Sequence, residues 1–269
     1  MKDNLRIALT FSGGGYRAAT FHLGALSYLH SVKVGEFTLL DHVVALSTIS
    51  GGTITGLRYM LGLSRGESVT DIFKELYTFL TDVELATVAM NNLASYEKGQ
   101  CASLIRTMAD IYNKELFKGA VLGDLMDQLD DIHICHFAAN ATDFTNGLAF
   151  RFQVTEKTGA KQEQATGYGL IGNNKIRIPR EVARHIRLSE VLACSSCFPS
   201  GFEPLVFPKD FVLGDSEEVK KFIAKTEPFG IMDGGIVDNQ GIEPILLAEQ
   251  RMETSLGCKD GKCLDLIIV

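Results

Sequence analysis

Leu5-Arg6-Ile7-Ala8-Leu9-Thr10-Phe11-Ser12-Gly13-Gly14-Gly15-Tyr16-Arg17 is an apolar run that breaks into a serine and three glycines, and the residues after it decide its reading. From Ala18 to Val32 the apolar positions (Phe21, Leu23, Leu26, Leu29) fall at helical spacing, so the opening is a strand, a glycine turn and a helix. The plan repeats between Leu39 and Leu63. Val43-Val44-Ala45-Leu46 leads into Thr48-Ile49-Ser50-Gly51-Gly52, and Thr53 to Leu61 forms the second helix. Two strands, each followed by a helix, predict an α/β fold with a largely parallel central sheet sandwiched by helices.

The rest of the chain fits one domain over 1–269 with insertions. Amphipathic helices are expected at Ile72 to Leu80, Leu104 to Tyr112 and Leu122 to Leu129, making a helical insertion over about 69–129. Strands return at Ile132 to Ala139 and Leu148 to Val154, joined as a hairpin through Asp143-Phe144-Thr145-Asn146-Gly147. A helix is expected from Leu188 to Cys194, and the polar, glycine-containing stretch 208–228 is the candidate for a mobile loop or lid. Ile231-Met232 runs into Asp233-Gly234-Gly235, and Ile242 to Gln250 resumes as helix. The chain ends on the apolar run Leu264 to Val269, suited to a buried strand, and is expected to continue beyond it.

Composition narrows the classes of function. The 269 residues carry a formal net charge of −7 with no dense Lys/Arg cluster, so no nucleic-acid footprint is expected and adhesion to anionic lipid is disfavoured. A neutral or zwitterionic surface stays open. No apolar run approaches the roughly 20 residues that span a bilayer, and Met1 to Leu5 leads into a strand without a leader's apolar segment, so a cytoplasmic protein is expected, at most peripheral to membranes. Six cysteines at this length read as free thiols in a reducing compartment. Cys194-Ser195-Ser196-Cys197 and His133-Ile134-Cys135-His136 have redox and metal-ligand spacing, but strand alternation sends His136 to the face opposite His133 and Cys135. Neither metal nor cofactor is expected, and nothing bears on oligomeric state.

Candidate chemistry sits at the strand ends. A serine on a sharp strand-to-helix turn projects its Oγ, and the helix N-terminus favours negative charge beside it. Ser50 fits, followed by Gly51-Gly52, although Thr48 stands where the G-x-S-x-G pattern has glycine. Alternatively Ser50 caps the following helix. An α/β-hydrolase triad needs a late histidine, but the last one is His185, on a predicted helix. A different base is required, and Asp233, a carboxylate at a strand end before two glycines, is the candidate; a plain surface turn is the other reading. Gly13-Gly14-Gly15 can aim successive N–H groups at one oxygen, at ~3 kcal/mol per donor. The same glycines, with Ala18, also fit the dinucleotide fingerprint G-x-G-x-x-A, which demands an acid at the end of the second strand. Ser47 to Gly52 stands there instead.

Taken in order, Ser12-Gly13-Gly14-Gly15-Tyr16-Arg17, Ser50-Gly51-Gly52 and Asp233-Gly234-Gly235 resemble the motifs of patatin-like phospholipases and the related cytosolic phospholipase A2 catalytic domains. The Ser-Gly-Gly-Gly-x-Arg loop is closer to the cytosolic enzymes. Leu122-Gly123-Asp124-Leu125, Ala141-Thr142-Asp143 with Gly147, and Ala193-Cys194-Ser195-Ser196-Cys197-Phe198-Pro199 before Phe202-Glu203-Pro204 extend the likeness over residues 5 to 250. The resemblance implies a three-layer patatin-like fold and a lipid acyl hydrolase cleaving phospholipid or lysophospholipid esters at a transient membrane or micelle interface. Ser50 would be the nucleophile and Asp233 its base, with no metal needed. Gly14 and Gly15, joined by Gly13 and Gly51, would hold the oxyanion, and Arg17 would sit near the substrate phosphate or else pack the first helix through a salt bridge. The alternatives are a catalytically impaired lipid-binding relative and a nucleotide-binding oxidoreductase.

Overall fold

The computed structural model describes residues 5–94, 103–155, 171–256 and 263–269. Its centre is a nine-stranded mixed sheet built around four parallel strands. In spatial order these are β11 (Leu266–Ile268), β1 (Ile7–Phe11), β4 (Val43–Ile49) and β5 (His136–Asp143). The short strands β2 (Lys33–Val34) and β3 (Phe37–Thr38) pair apart from it. Beyond β5 the sheet turns antiparallel through β6 (Leu148–Thr155), β7 (Ile171–Gly172) and β8 (Arg177–Ile178). The β5–β6 pair is the hairpin read from Asp143 to Gly147.

Helices cover both faces. Alternation along β1 sends Ile7, Leu9 and Phe11 into the larger core and Ala8 to the opposite face. On the first face α1 (Gly15–Ser31) and α2 (Gly51–Ser64) pack together, with α3 (Val69–Asp82) beside them. Ile245 and Ala248 of α10 (Ile242–Leu256) close the second face against Ala8 and Ala45. The expected three-layer fold is therefore present. Helix α2 is buried from Gly51 to Gly62, the mark of a central helix, and its one buried cation, Arg58, pairs with Glu67 and Glu75.

The helical insertion contains α3, α4 (Leu85–Ala94), α5 (Leu104–Tyr112) and α6 (Leu122–Gln128); residues 95–102 lie outside the described part. Sequence reading missed α4, although Leu85 and Ala89, both buried, stand at the i, i+4 spacing of a helix face. After the four-residue α7 (Arg180–Ala183), α8 (Leu188–Ser195) stands where expected.

Two expectations change. The stretch read as a lid contains α9 (Glu217–Lys225), whose Ser216 cap accepts from Val219 N–H at 3.3 Å and whose first turn carries Glu217 and Glu218, both helix-start signals. The terminal apolar run forms β11 at the sheet edge, with Leu266 46% exposed. Cysteine chemistry also departs from a uniform reading: Cys194 and Cys197 are free thiols, but Cys263 is disulfide-bonded. Burial pushes the Cys194 thiol well up and Cys197 to about 12, so neither is a thiolate near neutrality.

Candidate active site

The register on β5 brings Ser50 and Asp233 together. One edge of β5 is occupied by β6 along its whole length. The other edge is shared by two strands: β4 pairs from His136 to Asn140, ending with Ile49 opposite Asn140, and β10 (Phe229–Asp233) pairs antiparallel from Asp143 back to Ala141. Asp233 lies opposite Ala141, the next residue along. The two strands thus meet end to end, and each chain must leave the sheet where they meet. β4 leaves through Ser50 into α2, and β10 leaves through Gly234-Gly235.

The exit at Ser50 is strained. Its φ of 50° and ψ of −120° lie in a region costing a non-glycine residue on the order of 1–3 kcal/mol. Close packing makes this turn unavoidable, since a Cβ on Gly51 would collide with Gly15 O and one on Gly52 with Phe11 O. The helix start therefore presses against the β1–α1 loop, where Gly14 and Gly15 take φ values of 141° and 64° that side chains disfavour. Thr48 is accommodated from α2: its Cγ2 methyl occupies the space a Cβ on Gly56 would need.

Asp233 is only 4% exposed. Burial raises its pKa above the ordinary carboxylate value, while hydrogen bonds from Gly235 N–H (2.6 Å) and the Ser50 hydroxyl pull it back only partly. A buried carboxylate of raised basicity beside a serine hydroxyl is an arrangement that suits a general base. Its backbone is held by Asp233 N–H to Cys197 O (3.0 Å) and Thr142 Oγ1–H to Asp233 O (2.8 Å).

A cavity of about 830 Å³ opens on these groups. Gly14, Gly15, Arg17, Ser50, Gly51 and Asp233 all line it, and among the described residues Arg17 and Asp233 are the charged ones that do. Gly15 and Gly51 are the first residues of α1 and α2, where N–H groups have no partner within the helix. Gly13 N–H instead donates to Asn239 O at 3.1 Å, tying the first loop to the segment after Asp233, and Gly13 does not line the cavity. The walls are apolar, formed mainly by Leu85, Ala89 and Met90 of α4 and Leu104 and Met108 of α5. No residue of 208–228 lines it. Tyr16 hydroxyl donates to Val83 O at 3.2 Å, anchoring α1 to the start of α4, and burial pushes its pKa up to about 12.

Sequence reading missed Asn239, Asn140 and Ser195, polar residues that brace the turn. Asn239 follows the Asp-Gly-Gly motif closely enough to have been suspected; the others carry no local signal. The metal and redox spacings assemble nothing here: among the described residues no group of three or more His, Cys, Asp or Glu is placed to hold a metal, and His133 Nε2 lies 3.3 Å from Tyr59 hydroxyl. No described helix is long and apolar enough to cross a membrane.

Comparison with solved structures finds this fold in human GIVD cytosolic phospholipase A2, at 15% identity and a TM-score of 0.54, covering 98% of this chain and 45% of that one. VipD from Legionella pneumophila matches at 14% identity and a TM-score of 0.42, over 88% of this chain and 47% of the other. The chain thus spans under half the length of either, and such identities speak for the fold alone. Comparison with curated protein sequences gives no match. The patatin-like phospholipase family model matches residues 9–246, which takes in both strand-end turns, the insertion and Asp233, and the chain belongs to that family.

Proposed function

We propose that the protein is a serine acyl hydrolase that cleaves carboxylic ester bonds of phospholipids or lysophospholipids through a Ser50–Asp233 dyad. The observation that carries this is the strained Ser50 lining one apolar cavity together with a buried Asp233 of raised pKa. Asp233 takes the Ser50 proton as Oγ attacks the ester carbonyl, and returns it to the leaving alcohol. In the second half it draws a proton from water, whose oxygen attacks the acyl-serine; the acid departs and Ser50 regains its proton.

The N–H groups of Gly14, Gly15 and Gly51 stabilise the oxyanion of each tetrahedral intermediate; Gly13, whose N–H is engaged by Asn239, supports the loop. The walls of α4 and α5 take the acyl chain, and Arg17, exposed at the cavity, meets the phosphate. Substrate reaches the site from a membrane or micelle surface.

The test combines p-nitrophenyl ester hydrolysis with mass spectrometry of products from a panel of phospholipid, lysophospholipid and triacylglycerol. Ser50→Ala and Asp233→Ala should each abolish turnover in folded protein, and a fluorophosphonate should label Ser50. Full activity in either variant overturns the dyad. An unlabelled Ser50 in folded wild type would make the protein a lipid-binding relative that does not react.

A further inference from the structure

Ser195, the last residue of α8, is fully buried and does not line the cavity, yet its hydroxyl touches the nucleophile turn. Ser50 N–H donates to Ser195 Oγ at 2.9 Å, Ser195 Oγ–H donates to Asn140 O at 2.7 Å, and Thr53 Oγ1 lies 2.8 Å away. A serine hydroxyl has one proton and two lone pairs. With the proton on Asn140 O, one lone pair accepts from Ser50 N–H and Thr53 Oγ1 packs against the other side of the oxygen.

The Ser50 amide has no other ready partner. β4 ends at Ile49, so the ladder no longer uses it, and the first N–H groups of a helix find no carbonyl within that helix. Asn140 is the β5 residue opposite Ile49, and its Nδ2 donates to Ser47 Oγ (2.9 Å) and Thr48 O (3.0 Å). Ser195 therefore joins the end of β4, its register partner on β5 and the first turn of α2 at one atom. A φ of 50° at a non-glycine residue persists only where its surroundings over-determine it, and this atom adds a polar constraint to the close packing of Gly51 and Gly52.

We infer that Ser195 is a positioning residue: its hydroxyl holds the Ser50 backbone in the strained conformation that aims Ser50 Oγ at Asp233. The kinetic part of this inference rests on the acyl-hydrolase reading; the backbone part does not.

The test compares wild type with Ser195→Ala and with Thr53→Val, a near-isosteric change that removes one of the three contacts. Misplacing a reacting group by about 1 Å can cost on the order of 100-fold, so Ser195→Ala is expected to lower kcat about ten- to hundred-fold with KM within twofold, and Thr53→Val several-fold. Hydrogen exchange of the Ser50 amide, followed by NMR in the same proteins, needs no turnover. It should quicken at least tenfold in Ser195→Ala and by less in Thr53→Val. If Ser195→Ala does not fold, Thr53→Val decides on both readouts. A variant that loses only Tm, with kcat and Ser50 amide exchange as in wild type, overturns the inference. A wild type without esterase activity overturns the hydrolase reading, and amide exchange then still decides the role of Ser195.

Discussion

Thr48 and Gly56 offer a quantitative test of how the nucleophile turn is packed. A Cβ on Gly56 would collide with Thr48 Cγ2 and lie 3.3 Å from Phe11 Cδ2, all in a fully buried layer. Gly56→Ala should cost about 2 kcal/mol from overpacking, less up to ~1 kcal/mol regained because alanine is the better helix former. Thr48→Ser deletes only the methyl and keeps the hydroxyl that reaches Thr53 Oγ1 at 3.1 Å; loss of one buried methyl costs about 1 kcal/mol. The double variant places the new Cβ in the space the methyl vacates. Its destabilisation should therefore fall below the sum of the singles by about 1–2 kcal/mol, in the range expected for residues in direct contact. Urea unfolding with a constant m-value reads the three numbers, and ester hydrolysis should be near wild type in the double variant. Additive effects within about 0.5 kcal/mol would refute the claim that Gly56 is what admits Thr48.

Four further outcomes follow from the same geometry. Ser50→Gly removes the positive-φ penalty of about 1–3 kcal/mol against a glycine entropy cost of ~0.5–1 kcal/mol, so the inactive variant should unfold at a higher Tm than wild type. Because the folded-state pKa of Asp233 is raised, the native protein holds the proton to higher pH than the unfolded chain, and stability falls as pH rises through that value. Asp233→Asn should therefore stabilise the protein above it and lose that advantage below the ordinary carboxylate range, as pH-resolved unfolding would show. The wild-type acid limb of kcat should likewise lie above the ordinary aspartate pKa of 3.8; a limb at or below it would remove Asp233 as the base. Ala86, exposed on the cavity side of α4, tests the acyl wall: Ala86→Trp should raise KM for a long-chain ester while leaving an acetate ester unaffected.

Much of this site was legible before any coordinates, because its parts are local. An apolar run ending in Ser12-Gly13-Gly14-Gly15 or in Ser50-Gly51-Gly52 announces a strand-to-helix turn from composition alone. Gly14 and Gly15 are indeed at positive φ, and Ser50 is too. The features that were not legible depend on pairings between distant segments. Gly56 reads as a tolerated helix glycine until Thr48 is seen across from it. Ser195 reads as part of a cysteine-flanked motif until its Oγ is found 2.9 Å from Ser50 N. The helix in the stretch 208–228 was missed for a different reason: polarity and prolines outweighed the capping signals of Ser216 and the two glutamates after it.

What makes Ser50 and Asp233 neighbours is the fact that β4 and β10 share one edge of β5 and neither spans it. β4 stops opposite Asn140 and β10 stops opposite Ala141, so two chain ends compete for a single step of the ladder. Backbone sterics then force both out of the sheet, and they emerge with Ser50 and Asp233 on the same mouth, where β1 also delivers its glycine loop. The strain at Ser50 follows from the same crowding, since α2 must begin hard against Gly15 and Phe11. The sheet brings the two residues together by running out of room, and Asn140, Ser195 and Thr53 are hydrogen-bonded around the turn where it does so.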